Sequence, residues 1–67
     1  MSQSERLLEY LNKHMSITPR VALNECGIYR LSARIYDLRA AGHNIETDRI
    51  TVNGKFGKAK VARYILR

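Results

Sequence analysis

The chain has one cysteine, one proline and no tryptophan. A single cysteine, Cys26, excludes an internal disulfide, the common staple of very small domains. A metal staple is equally unsupported. Cys26, His14 and His43 are the only thiol and imidazole groups, and no two stand at C-x-x-C or H-x-x-x-H spacing. No apolar run approaches the ~18 residues that a membrane-spanning helix needs. Glu5, Arg6 and Glu9 interrupt the N-terminal leucines, so no secretory apolar core is present there. No carboxylate pair, nucleophile–base pair or phosphate-cradling loop points to catalysis. The expectation is therefore a protein that is not an enzyme, with no cofactor, no metal and no small-molecule ligand. The unpaired cysteine adds a reducing, cytoplasmic setting.

What remains is an aliphatic core and an uneven charge distribution. At 67 residues the chain reads as one domain, 1–67. A domain of this size buries only about 60% of its unfolded surface. Leu7, Leu8, Leu11, Ile17, Leu23, Ile28, Leu31, Ile35, Leu38, Ile45, Ile50 and Val52 are the candidates to build its core. Net charge is +6, yet residues 1–54 contribute only +1 and residues 55–67 contribute +5. Lys55, Lys58, Lys60, Arg63 and Arg67 stand there without an acid. A compact patch of this kind suits a polyanion; the plainer alternative is a solvated, solubilising tail.

Pro19 and the four glycines divide the chain into elements. Ser2 followed by Glu5 is a capping-box signature, and Leu7, Leu8, Leu11 and Met15 recur at helical spacing. They predict an amphipathic helix over Gln3–His14, with Glu9 and Lys13 as an i,i+4 pair. Met15-Ser16-Ile17 reads as a short extended stretch. Thr18-Pro19 is a strong helix start. Ala22, Leu23 and Cys26 share a face of the short helix that follows, and Gly27 ends it. The next helix is predicted over 29–41, with Leu31, Ile35 and Leu38 as its buried stripe. Tyr29, Ala33, Tyr36 and Ala40 oppose that stripe, with Arg30, Ser32 and Asp37 on the shoulders and Arg34 and Arg39 flanking the core. Residues 44–52 and 61–66 are β-rich and lie around an Asn53-Gly54 turn signal, which predicts a hairpin. The connection 53–60 reads as a protruding basic loop.

Helix, short strand, helix, glycine turn, helix and hairpin is the order of an α+β winged helix-turn-helix. The arrangement has a physical reason. An α-helix fits the major groove, where base edges are distinguishable, and the preceding helix braces it against the backbone. A basic hairpin beside it reaches phosphates or the minor groove.

The run Arg34-Ile35-Tyr36-Asp37-Leu38-Arg39, then Gly42, Ile45 and Thr47, followed by Gly57 and Ala62-Arg63-Tyr64, resembles a family of small winged helix-turn-helix proteins of bacteriophages and prophages. The resemblance spans 4–66. It implies double-stranded DNA as partner and a place in transcription regulation. The recognition-helix candidates are Tyr29, Arg30, Ser32, Ala33, Arg34 and Tyr36. Arg30 and Arg34 would take guanines or flanking phosphates, although Arg34 could instead pair with Asp37. The wing candidates for phosphate are Lys55, Lys58, Lys60 and Arg63. Stoichiometry stays open among a monomer, side-by-side copies and a homodimer.

Other signals are discounted. Gly54-Lys55-Phe56-Gly57 matches the G-x-x-G of RNA-clamping K-homology loops, but those join two helices. His43 reads as a loop residue and Cys26 as a small buried side chain. Phe56 is expected to pack its loop on itself in preference to acting as a wedge, and Tyr64 to pack in the core or across the hairpin in preference to stacking on a base. The alternative to DNA binding is a winged helix that docks a protein through its exposed tyrosines.

Overall fold

The structure is a computed structural model and describes residues 2–67. It contains α1 (Gln3–His14), β1 (Ser16–Ile17), α2 (Pro19–Cys26), α3 (Leu31–Ala40), β2 (Ile45–Gly54) and β3 (Gly57–Leu66). The strands form one antiparallel sheet in the order β1-β3-β2.

Local chemistry sets most of the helix ends. At α1 the Glu5 amide donates to Ser2 Oγ at 3.2 Å, and the Ser2 amide donates to Glu5 Oε1 at 3.4 Å. That closes the capping box and satisfies two orphan donors. Thr18 caps α2 by accepting from the Val21 amide, and Pro19 follows where no amide is needed. Gly27 ends α2 at φ 67, and its amide returns to the Leu23 carbonyl. Met15 takes the same left-handed conformation, φ 69, without being glycine. Its amide closes α1 on Leu11 and its carbonyl accepts from the Leu66 amide at 2.8 Å. A costly backbone state is thus held in place from both sides, and it turns the chain from α1 into β1.

The core collects one face from each element: Leu7 and Leu11 from α1, Ile17 from β1, Ala22 and Cys26 from α2, Leu31, Ile35 and Leu38 from α3, with Ile28 and Ile45. Leu8, Tyr64 and Leu66 pack at its margin. Three expected core residues lie elsewhere. Leu23 is 42% exposed, because a two-turn helix whose Ala22–Cys26 face points inward turns its next position outward. Ile50 is half-buried and Val52 exposed, because they lie on the hairpin beyond the helices. Burial raises the Cys26 thiol pKa above its ordinary value, Glu25 adds to the shift, and Arg6 opposes it. A shift in that direction favours the thiol over the thiolate.

Two element boundaries differ from the expectation. The third helix starts at Leu31, so Tyr29 and Arg30 belong to the turn; Arg30 is the N-cap position and offers no side-chain acceptor. The connection 53–60 is not a long loop. Both strands run on to a Gly54↔Gly57 pair, and only Lys55 and Phe56 form the turn. Neither has positive φ; that demand falls on Gly57 at φ 120, which glycine meets without strain.

Candidate nucleic-acid interface

Strand alternation decides which side chains of the hairpin act together. Tyr64 and Leu66 pack on the core, so their face is the inner one. The register places Ile45 opposite Leu66, Thr47 opposite Tyr64, Arg49 opposite Ala62, Thr51 opposite Lys60 and Asn53 opposite Lys58. The inner face therefore runs outward from the core as Thr47, Arg49, Thr51, Asn53, Lys58 and Lys60, without an acid. The other face carries Glu46, Asp48, Ile50 and Val52 against Ile65, Arg63, Val61 and Ala59. Residues 51–60 are all exposed.

This face meets the start of α3. Pro19, Tyr29, Arg30, Leu31, Ser32 and Tyr64 line one open concavity of about 400 Å³. Ser32, Tyr36 and Arg39 recur at i, i+4 and i+7, so they share the shoulder of α3 that faces the hairpin. Arg39 proves the direction. Its Nε and Nη2 donate to the Ile45 carbonyl at 2.9 and 2.7 Å, and Nη2 also donates to Thr47 Oγ1 at 2.8 Å. This fork locks α3 to β2. Hydrogen bonds from a charged donor contribute roughly 1.5–3 kcal/mol each. Partial exposure and shared acceptors lower the total, so Arg39→Ala should cost about 2 kcal/mol, or roughly 10 °C in Tm for a domain this small. Arg39→Lys should restore little of it, because a point ammonium cannot reproduce the fork. Thermal melts of the two variants check this.

A model of the winged helix-turn-helix domain family matches residues 2–67. The chain belongs to that family. No curated protein and no solved structure matches it. The family is one whose folds generally present a helix and a hairpin to DNA, and its defining parts are here α2, the turn over 27–30, α3 and the β2–β3 wing.

The site residues expected from sequence fall into three groups on this winged helix. Tyr29, Arg30, Ser32 and Tyr36 lie on the wing side of the third helix or in the turn before it. Tyr29 is 84% exposed, and Arg30 makes no ion pair among the described residues. Lys58 and Lys60 share the inner face of the wing, and Lys55 is at its tip. The remaining candidates are displaced. Ala33 is half-buried. Arg34 lies on the far shoulder of α3 with its Nε 3.0 Å from Asp37 Oδ2; the N–H is not aimed at the oxygen, so the contact is between charges and makes no hydrogen bond. Arg63 sits on the outer face and donates to Asp48 Oδ2 at 3.0 Å, opposite the cations it was expected to join. Arg67 is similarly paired with Glu46.

One further cation, not expected there, lies on the inner face. Arg49 is exposed, its side chain makes no ion pair among the described residues, and it continues the Thr47 face toward Lys60. The signal was available: counting alternate positions from the apolar Ile45 gives 47, 49 and 51 on the same face.

Proposed function

We propose that this winged helix binds double-stranded DNA, with α3 in the major groove and the inner face of the wing along the adjoining phosphates. One observation carries the reading. The acid-free strip of Arg49, Lys58 and Lys60 lies on the same sheet face as Tyr64, and Tyr64 shares a concavity with Tyr29, Arg30 and Ser32. One duplex can touch both. Arg30, at the mouth of that concavity, takes a guanine edge or a flanking phosphate, and Ser32 and Tyr36 donate to phosphate or base edges. Arg34 and Arg63, already balanced by acids, are left out of the contact. The resemblance of the 34–39 run and the spacing after it to phage and prophage proteins supports a role in transcription regulation in such a setting.

Five cations without an acidic partner among the described residues would then neutralise phosphates: Arg30, Arg49, Lys55, Lys58 and Lys60. With about 0.9 counterion released per contact, log affinity should fall against log salt with a slope near −4.5. Raising salt from 50 to 200 mM should weaken binding about 500-fold. A titration of a fluorescent random duplex at several salt concentrations measures this. A slope shallower than about −2 takes the wing off nucleic acid. No duplex binding at low salt would instead favour a protein partner on the Tyr29 and Tyr36 surface.

A further inference from the structure

Phe56 is the largest exposed apolar group of the wing, and nothing in the fold uses it. It is 98% exposed at the tip of the two-residue turn, so it does not pack its loop as the sequence suggested. The neighbouring Lys55 places its Nζ 5.9 Å from the ring centroid. A fully solvated phenylalanine between cations is poor surface design unless something covers it. The charge around it names the covering partner. The last acid in the sequence is Asp48, and from Arg49 onward every charged residue is a lysine or arginine. An apolar ring carried on that ribbon is matched to a polyanion with an apolar interior, which is a description of stacked bases inside a phosphate shell.

The wing is also long enough. From the Thr47↔Tyr64 pair, where it leaves the core, to the Gly54↔Gly57 pair there are seven residue steps. At about 3.3 Å per residue that is a reach of roughly 23 Å. Major and minor grooves on one side of B-DNA are separated by half a helical turn, about 17 Å. With α3 in a major groove, the wing tip therefore passes the intervening phosphates, which Lys58 and Lys60 meet, and arrives over the next minor groove.

We propose that Phe56 is a wedge that enters a base step from the minor groove and bends the duplex, giving this domain an architectural activity in addition to groove reading. The inference rests on the DNA-binding reading above. Side chains of this type that enter from the minor groove unstack a step and kink the duplex by about 20–90° toward the major groove. Flexible pyrimidine–purine steps are the cheapest to open, so they are the preferred targets. Lys55 and Lys58 hold the phosphates on either side of the opened step.

The test uses the whole chain and a duplex of about 30 base pairs, end-labelled with donor and acceptor dyes, with a central TA step and 2-aminopurine beside it. Saturating wild-type protein at low salt should raise energy transfer and brighten the 2-aminopurine. Phe56→Ala removes only solvated surface, so it should fold as the wild type does and keep the salt slope. It should lose more than half of the energy-transfer change and most of the brightening, and bind several-fold more weakly. Phe56→Leu should retain part of both signals. Equal bending by Phe56→Ala and wild type overturns the wedge, as does a wild type that binds with the expected slope and leaves the duplex straight; in both cases the DNA-binding reading stands. Absence of any duplex binding overturns both.

Discussion

Leu11→Ala should leave the chain largely unfolded at 37 °C. Leu11 has no exposed surface and sits with Leu7 on the face of α1 that enters the core. Truncating a buried leucine to alanine costs about 2–5 kcal/mol, from lost transfer energy and the cavity left behind. The whole domain has little to lose. A single core in a chain under about 70–80 residues supplies roughly 3–5 kcal/mol of net stability, and neither a disulfide nor a metal cluster adds to it among the described residues. Circular dichroism against urea measures the loss directly. Leu23→Ala, on an exposed position of α2, is the control and should change the midpoint little. A well-folded Leu11→Ala protein would mean that the core is distributed differently from the packing described here.

The second large effect concerns charge. Arg49→Ala, Lys58→Ala and Lys60→Ala combined should reduce the salt slope by about 2.7, from near −4.5 to near −1.8. If the affinities of variant and wild type converge at 1 M salt, the deficit at 0.15 M is about 170-fold. All three positions are exposed, so the melting temperature should hardly move. Arg63→Ala provides the contrast. Its guanidinium is already paired with Asp48 on the outer face, and it should leave the slope within experimental error of wild type. Loss of slope in Arg63→Ala, with the triple variant unaffected, would invert the face assignment of the wing.

Helix ends and the buried stripe of α3 were legible because short-range chemistry determines them. Ser2 with Glu5, Thr18 with Pro19, and Gly27 each act within one turn of the chain. Leu31, Ile35 and Leu38 carry their own periodicity. The start of α3 was not legible for the complementary reason: Arg30 caps nothing, and the boundary is imposed by Ile28 and Leu31 entering the core. The connection 53–60 reads as a loop because Asn53-Gly54 is a strong local turn signal, and the strand register overrides that signal. Tyr64 and Leu66 must face inward opposite Thr47 and Ile45, and this pairing carries the strands as far as the Gly54↔Gly57 pair. That same register separates Arg63 from the lysines and recruits Arg49. Charge totals along the sequence are blind to sidedness, since neighbours in a strand point in opposite directions. The Arg34–Asp37 contact was visible as an alternative in the i,i+3 spacing, but only packing decides between a pair and a free cation.

The Arg39 fork has a consequence for how the third helix and the wing can move. Its contacts end on a peptide oxygen and a hydroxyl of β2, so α3 and the hairpin are tied together at the root of the wing. The two elements thus behave like a calliper locked at one opening, and a duplex bound there would have to conform to the gap as it stands.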